Sequence, residues 1–409
     1  MVPKGWKKCP AKDVCKSINV GVVIKPSEYY VAEGDGVRAF RSANVREGFI
    51  NNSDWVYFSR EGHEKNKKSE LKAGDVLIVR SGYPGTACVV TPEFAGSNAI
   101  DIVIARPDPS KVIPEYLCVF TNSEIGRSQI LNLQGGMAQK HLNVGAYKTL
   151  ELMLPSVQEQ KEIARIFSVW DEAIATTEQL LANSEQQKKA LMQQLLTGKR
   201  RLPGFEGAWE KVRVGKILAV RKEKKLPSED CPLYSLTIEK GVTPKTDRYN
   251  REALVADTAT KKYKQVKPLD IVYNPANLRW GAINYSRENH DVVVSPIYEV
   301  LYVKDEGCTD LGYVAQALMR PDQIRRFASM VEGTLMERKA VKIEPFLATP
   351  IMIPRSLDEQ KAISSVLCQM DESIDGLRRE VDLIKREKSA LMQQLLTGKR
   401  RVKVDQGEG

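Results

Sequence analysis

The sequence predicts an α+β protein in which two mixed α/β globules are each followed by a long helix. We expect the two helices to pair as an antiparallel coiled coil, which would give a duplicated, pseudo-two-fold chain. Three observations lead to this prediction. The block Ala190–Arg201 returns unchanged at Ala390–Arg401, an apolar 4-3 period precedes each block, and the remaining segments have no long helical period. A repeat distance of 200 residues is far longer than a solenoid unit, so half of the protein is duplicated.

Length and composition limit the class of protein. At about 150 residues per domain, 409 residues allow two or three domains. Apolar residues make up 42% of the chain, which excludes wholesale disorder, and no run of 18 apolar residues predicts a membrane span. The first residues have no apolar core typical of a signal peptide. Seven cysteines without C-x-x-C spacing favour reduced thiols, and we expect a cytoplasmic protein.

The charge balance favours a polyanionic partner. Subtracting 52 Asp and Glu from 62 Lys and Arg leaves a net charge of +10. Surplus charge can also serve solubility alone, so this observation indicates a partner class without proving one.

The repeat predicts five segments, with residues 1–155 and 202–354 as the globules. Residues 156–201 and 355–401 are the long helices, and residues 402–409 form a tail. Aligned at an offset of 200, residues 157–201 match 357–401 at 20 of 45 positions. The globules are much less alike, which suggests a common task for the helices and different tasks for the globules.

Each long helix has a capping signal at its start, a seam of mostly apolar residues along its length and a glycine at its end. Ser156 with Glu159, and Ser356 with Glu359, have capping-box spacing, in which the glutamate reaches back to the cap amide. Each helix ends at a glycine suited to a left-handed terminus, Gly198 and Gly398. The seam positions are Ile163, Phe167, Trp170, Ile174, Thr177, Leu181, Ser184, Lys188, Leu191 and Leu195, and their counterparts 200 residues later. Each helix is about 60 Å long at 1.5 Å per residue, and we expect Lys188 and Lys388 to reach water near the ends.

Several motifs resemble catalytic ones but lack their defining residues. Thr197-Gly198-Lys199-Arg200 has neither the upstream glycine nor the Ser/Thr of a phosphate-binding loop. Tyr273-Asn274-Pro275-Ala276 lacks the second proline and the aromatic residue of the amino-methyltransferase tetrapeptide. The three histidines are too far apart in sequence to suggest a metal site. The sequence therefore predicts no active site and no bound metal or cofactor.

Basic and aromatic residues suggest DNA binding instead. Between Ile238 and Arg287, ten Lys and Arg oppose five Asp and Glu, with aromatic residues interleaved. Cations neutralise phosphates, and Arg or Asn can form paired bonds with base edges; the alternative is a solvated basic face. The candidates in the first globule are Arg38, Arg41, Asn44, Arg80, Tyr83, Gln139, Lys140 and His141. Those in the second are Lys245, Arg248, Lys261, Lys262, Asn277, Arg279, Trp280, Arg338 and Lys339.

The combination of motifs resembles the specificity subunit of Type I restriction–modification enzymes. Two unlike globules, each followed by a helix with Glu-Gln-Lys near its start and Leu-Leu-Thr-Gly-Lys-Arg-Arg at its end, carry the resemblance over essentially the whole chain. Supporting phrases are Gly74-Asp75-Val76-Leu77, Asn277-Leu278-Arg279-Trp280-Gly281-Ala282, Val294-Ser295-Pro296-Ile297-Tyr298 and Gln139-Lys140-His141-Leu142-Asn143-Val144.

The resemblance implies that each globule is a target recognition domain for one half of a bipartite, asymmetric DNA site. It implies helices that set the spacing, two modification subunits and two restriction subunits. S-adenosylmethionine, ATP and Mg²⁺ would belong to those partners, and this chain would catalyse nothing. The identical helix ends place the docking candidates at Gln193, Gln194, Gln393 and Gln394.

Two other classes remain open at this point. A free-standing DNA methyltransferase or nuclease would need the motifs that are missing. A coiled-coil scaffold that binds no DNA would account for the helices but not for the basic, aromatic-interleaved globules.

Overall fold

The computed structural model describes residues 2–133, 141–238, 241–244, 262–331 and 340–403. The chain divides into two compact units: unit 1 is Met1–Glu178 with Arg379–Gly409, and unit 2 is Gln179–Arg378. Each unit contains one globule, the first part of the long helix that follows it and the last part of the other long helix. No helix among the described residues has both the length and the hydrophobicity needed to cross a membrane.

Among the described residues, the globule of unit 1 contains ten strands and five α-helices. Its strands are β1 (Lys7–Pro10), β2 (Cys15–Val20), β3 (Tyr30–Val31), β4 (Gly36–Phe40), β5 (Val56–Ser59), β6 (Val76–Val79), β7 (Ala87–Val89), β8 (Asn98–Ala99), β9 (Ile102–Pro107) and β10 (Glu151–Leu154). Its helices are α1 (Ala11–Val14), α2 (Arg60–Lys65), α3 (Pro114–Asn122), α4 (Glu124–Leu133) and α5 (Val144–Lys148). The first long helix, α6 (Val157–Leu195), follows.

The globule of unit 2 repeats this plan. Its strands are β11 (Trp209–Arg213), β12 (Leu218–Val220), β13 (Lys224–Lys225), β14 (Tyr234–Thr237), β15 (Gly241–Pro244), β16 (Tyr263–Val266), β17 (Ile271–Tyr273), β18 (Ile283–Tyr285), β19 (Val292–Val294), β20 (Glu299–Val303) and β21 (Pro350–Pro354). Its helices are α7 (Val214–Ile217), α8 (Leu311–Leu318), α9 (Pro321–Ser329) and α10 (Ile343–Leu347). The second long helix is α11 (Leu357–Leu395).

The same antiparallel four-stranded sheet forms the centre of both globules. Its strand order is β2-β9-β6-β7 in unit 1 and β12-β20-β17-β18 in unit 2. In each globule the first strand pairs with the last, β1 with β10 and β11 with β21, immediately before the long helix. The duplication seen in the helix sequences therefore extends to the topology of the globules, whose sequences resemble each other only faintly.

Both faces of the central sheet are buried, which explains its short apolar runs. In unit 1, Val76 and Ile78 of β6 face a core shared with the long helices, whereas Leu77 and Val79 face a second core around Phe40. Period-two alternation puts neighbouring strand residues on opposite faces, so a strand buried on both faces needs a continuous apolar sequence.

A buried aspartate pins a turn at the start of the corresponding strand in each globule. The Asp75 carboxylate accepts two hydrogen bonds from Arg106, both 2.7 Å, and one from the Lys72 amide. Asp270 accepts from Arg221 and from the Lys267 amide. Burial raises the pKa of Asp270, and the Arg221 guanidinium opposes this shift. The Gly74-Asp75 phrase is therefore a folding element.

The long helices start and stop as predicted, with one correction. The Ser156 and Ser356 hydroxyls accept from the amides of Glu159 and Glu359 at 3.2 and 3.3 Å, and Gly198 and Gly398 have φ of +71° and +67°. The predicted return bond from each glutamate to its cap amide is wrong. Each glutamate side chain is buried and instead binds an arginine beyond the end of the other long helix.

Paired ions show that the two helices run antiparallel within each unit. In unit 1, Arg401 donates two bonds to Glu159, of 2.6 and 2.8 Å, and Lys388 binds Asp171 at 2.5 Å. In unit 2, Arg201 binds Glu359 through bonds of 2.9 and 2.5 Å, and Lys188 binds Asp371 at 2.5 Å. Later residues of one helix meet earlier residues of the other, which requires opposite directions.

Contrary to the expectation from the sequence, the seam lysines do not reach water. The side chains of Lys188 and Lys388 are only 14% and 11% exposed, and each ends on an aspartate of the opposing helix. A buried ammonium group needs a partner because leaving it unpaired costs desolvation energy. An aspartate supplied by the facing helix, which the linear sequence does not reveal, takes the place of water.

A glutamine in the first turn of each long helix attaches the globule. Gln160 accepts from the Ile113 amide at 3.0 Å and donates to the carbonyls of Lys111 and Pro155. Gln360 accepts from the Asp310 amide at 2.8 Å and donates to the carbonyls of Cys308 and Pro354. Both glutamines are buried, so the repeated Glu-Gln motif joins helix to helix and helix to globule.

The arginine clamps predict a matched pair of stability effects. Arg401→Ala leaves Glu159, which is 3% exposed, without its charged partner, and should cost about 1–3 kcal/mol. Arg201→Ala should act similarly on Glu359. Arg400→Ala and Arg200→Ala remove neighbouring exposed arginines and serve as controls. Thermal unfolding should show a fall of roughly 2–4 °C per kcal/mol for the clamp variants only. Equal midpoints for clamp and control variants would contradict this role.

Candidate nucleic-acid interface

Topologically equivalent hairpin loops carry the strongest candidates in the two globules. The loop between β6 and β7 spans residues 80–86, and the loop between β17 and β18 spans residues 274–282. Each loop is held by the segment that follows the second helix after the sheet. The Leu142 amide donates to the Arg80 carbonyl at 2.9 Å, and the Val341 amide donates to the Pro275 carbonyl at 2.9 Å. We call these segments the reading loops.

The reading loop of unit 2 presents an arginine stacked on an exposed tryptophan. Leu278–Trp280 form one 3-10 turn that ends at Gly281, where φ is +94°. Leu278 is fully buried in the core and anchors the turn. The Arg279 guanidinium carbon lies 4.0 Å from the centroid of the Trp280 ring, which is part of a side chain that is 59% exposed. Stacking fixes a planar guanidinium while leaving its edge available for paired hydrogen bonds.

Only some of the other candidates in unit 2 lie within the described residues. Arg279 Nε is buried and has no hydrogen-bond partner among the described residues, so a base contact would have to come from the terminal nitrogens of the guanidinium. Asn277 is half-buried and closes the turn through its carbonyl, which accepts from the Trp280 amide at 3.0 Å. Lys262 is exposed directly before β16. Lys245, Arg248, Lys261, Arg338 and Lys339 lie outside the described residues.

The reading loop of unit 1 presents a tyrosine and a histidine. The Tyr83 side chain is 83% exposed. Ser81 Oγ lies 2.7 Å from His141 Nδ1, which ties this loop to the segment before α5. Gln139 and Lys140, the other two candidates of this patch, lie outside the described residues.

Three candidates of the first globule are occupied by structural bonds. Arg80 is 9% exposed, donates to the Leu142 carbonyl at 2.9 Å and pairs with Asp101. Asn44 is fully buried and donates to the Ser53 carbonyl at 2.8 Å. Arg41 donates to the Asp54 carbonyl. A base contact through the bonded atoms of these groups would require breaking a bond within the protein.

Arg38 of the first globule lies close to two aromatic rings. Its guanidinium carbon is 5.8 Å from the ring centroids of both Trp55 and Phe94. Arg38 is therefore within cation–π distance of both rings, on β4 rather than on a reading loop.

Sequence reasoning missed two cations beside the unit 2 loop. Arg325 and Arg326 are exposed on α9, the helix that packs against Leu278–Trp280. Buried Gln323 and Phe327 occupy the opposite positions of this short helix. The alternation of buried and charged residues from Gln323 to Phe327 could have indicated an amphipathic helix with a basic face.

The helix-end glutamines are not equivalent in their contacts. All four glutamines are exposed, and the Gln393 side chain also donates to the Glu124 carboxylate of unit 1. These two Gln-Gln pairs follow Met192 and Met392, which are buried in the cores of their respective units. The helix ends are thus fixed by packing while their glutamines face outward.

The tetrapeptide resembling a methyltransferase motif has a structural role. Tyr273 is fully buried, its ring stacks 4.4 Å from Phe346, and burial raises its pKa. Asn274 accepts from the Ala276 amide at 3.1 Å. Within the described ranges, no group of three His, Cys, Asp or Glu side chains could hold a metal ion.

These placements predict a large loss of stability on replacing Arg80 and a small one on replacing Tyr83. Arg80→Ala removes the partner of Asp101 and a bond to the Leu142 carbonyl, and should destabilise the protein by about 1–3 kcal/mol. Tyr83→Ala removes an exposed ring and should change stability by less than about 0.5 kcal/mol. Chemical denaturation of both variants checks this. A larger loss for Tyr83→Ala than for Arg80→Ala would show that the assignment of structural and exposed residues is wrong.

Comparisons with known proteins agree with the duplicated architecture. Residues 3–186 match the family described as Type I restriction modification DNA specificity domain. The Type I restriction enzyme MjaVIII specificity subunit of Methanocaldococcus jannaschii is 24% identical over 435 residues, covering 98% of this chain and 94% of the relative.

Two solved structures share the fold over nearly the full length. A Type-I restriction-modification system S subunit from M. genitalium is 14% identical, with coverage of 97% of this chain and 96% of that chain and a TM-score of 0.59. A chain from work on complex assembly and conformational transition of the type I R-M system is 16% identical, with coverage of 96% and 98% and a TM-score of 0.57. Over nearly its whole length the chain is therefore similar to specificity subunits of Type I restriction enzymes, and its residues 3–186 match the DNA specificity domain.

Proposed function

We propose that each globule reads one half of a bipartite, asymmetric DNA target. The observation that carries this proposal is the pair of reading loops, which occupy the same topological position and each expose an aromatic side chain, Tyr83 or Trp280. Their sequences differ, so two such loops would prefer different bases. Arg279 is the strongest candidate for a base contact, because its stacked guanidinium can bond guanine through two hydrogen bonds.

The long helices would set the distance between the half-sites. Residues 157–178 of α6 belong to unit 1 and residues 179–195 belong to unit 2, so a continuous helix links both units. A helix of fixed length would hold the reading loops to a defined number of unread base pairs. Half-sites approached from one side of the duplex lie about one turn, or ~34–36 Å, apart.

The helix ends would dock two modification subunits. The twelve-residue block is identical in both copies, and identical surfaces bind identical partners. Gln194 and Gln394 are exposed equivalents in this block. Two restriction subunits would complete the assembly.

The chemistry would reside in those partners. S-adenosylmethionine would serve adenine methylation in the modification subunits, and ATP with Mg²⁺ would serve translocation and cleavage in the restriction subunits. This chain would supply binding and orientation only. That division accords with the structural role of its methyltransferase-like tetrapeptide.

Mapping methylated DNA tests the proposed function. Host DNA with and without this gene should differ by one methylated motif that has two unequal halves separated by unread positions. Exchanging residues 202–354 for the second globule of another specificity subunit should change one half and leave the other. A continuous or palindromic motif would contradict the proposal.

Replacing Arg279 tests the base contact. In the complex with the modification subunits, Arg279→Ala should weaken binding to the methylated motif by about 1–3 kcal/mol and relax preference at one position. Competition binding against targets with single base changes measures both effects. Arg213→Ala, which removes an exposed arginine on β11, is the control. Weaker binding with unchanged relative preferences would assign Arg279 to phosphate contact or to loop structure.

Replacing the exposed helix-end glutamines tests the docking. Gln194→Glu and Gln394→Glu each add a charge to one copy of the repeated surface and should each weaken one modification-subunit site about tenfold. Native mass spectrometry of titrated complexes should then show mainly one bound subunit in place of two. Gln186→Glu, exposed in the middle of α6, should leave two bound. A one-to-one complex of the unmodified chain would exclude the two-site proposal.

A further inference from the structure

The long helices carry one pair of contacts in which the charges are exchanged between the repeats. In unit 1, Lys385 donates to Glu178 at 2.7 Å. In unit 2, Arg378 donates to Glu185 at 2.7 Å. At the offset of 200, residue 178 corresponds to 378 and residue 185 to 385, so α6 is acidic at both positions and α11 is basic at both.

The other interhelical ion pairs keep their charges across the repeat. Asp171 and Lys188 of α6 correspond to Asp371 and Lys388 of α11. Each helix therefore carries both an acid and a base at these positions. Such pairs would form equally well between α6 and α11 or between two copies of the same helix.

Pairing between two copies of the same long helix would have a different outcome at the positions where the charges are exchanged. Two antiparallel copies of α6 would bring Glu178 against Glu185 twice, and two copies of α11 would bring Arg378 against Lys385 twice. Like charges in contact oppose association, whereas the observed contacts attract. Four apolar seam positions do not discriminate between these arrangements, because Ile163, Ile174, Leu191 and Leu195 recur as Ile363, Ile374, Leu391 and Leu395.

We propose that this charge exchange makes each long helix accept the other helix and reject a second copy of itself. The excluded partner is a second copy of this chain joined through like helices. The side chains are about half exposed, so each pair is weak alone. Their effect is on selection, because two attractions in the correct arrangement become two repulsions in each wrong one.

A charge-neutral double variant reverses the preference. In Glu185→Lys with Lys385→Glu, each long helix carries one charge of each sign at these positions. The intrachain contacts then bring like charges together, whereas two copies of the same helix bring opposite charges together. Pairing of α6 from one chain with α11 from another would bring the same like charges together in this variant. Any dimer that it forms therefore indicates pairing of α6 with α6 and of α11 with α11.

Sedimentation velocity of the full chain without partner subunits, over a range of concentrations, measures the result. The double variant should dimerise with an association constant at least ~10-fold above that of the unmodified chain. Adding Glu178→Lys and Arg378→Glu restores attraction between α6 and α11 and should restore the monomer. The control Glu172→Lys with Lys361→Glu makes the same exchanges at exposed positions where α6 and α11 form no ion pair, and should not dimerise.

A double variant no more dimeric than the unmodified chain overturns the proposal, and so does a control variant that dimerises equally. If the double variant does not fold, the variant with four substitutions decides. A native melting transition in the variant with four substitutions supports charge selection, because it differs from the double variant only in the charges at residues 178 and 378. Failure of that variant to fold overturns it.

Discussion

The arginine–glutamate clamps at the helix ends are the contacts on which the rest of the structure depends. Glu159 and Glu359 are buried beside their globules, and each binds an arginine that lies about 240 or 160 residues away in sequence. A buried carboxylate without a partner is costly, so each clamp stabilises a globule together with the end of the other long helix. The same clamp position fixes Gln160 and Gln360, one residue later, against the carbonyls of the globule.

That chain of contacts leads outward to the reading loops. Each glutamine holds the segment before α3 or α8, and those helices form part of the core that also includes the central sheet. The central sheet in turn supports the hairpin whose loop holds Tyr83 or Trp280. A continuous path of hydrogen bonds and packed strands therefore connects the helix ends to the exposed side chains within each unit.

The sequence predicted the helices well because their determinants are local and repeated. Ser156, Gly198 and the 4-3 period specify start, end and buried face within one segment. It predicted the globules only by class, since their sheets join strands such as β2 and β9, which are far apart in sequence. Among the candidate site residues, Arg80 and Asn44 look like DNA contacts in sequence, yet their partners Asp101 and Ser53 make them structural. Such partners are set by tertiary folding, and local composition does not reveal them.

The division of labour between helix and loop has a physical basis in burial. Each residue of the repeated Glu-Gln motif makes several buried bonds, so a substitution there disturbs a helix end and a globule together. In the reading loop of unit 2, Leu278 is fully buried and anchors a turn whose next two residues are the half-buried Arg279 and the exposed Trp280. Exchanging those two side chains changes the surface of the loop while the anchor, the strands and the clamps keep their contacts. Two globules of one topology can therefore carry unlike loops on identical helix ends and keep the buried contacts that hold each globule to its helix.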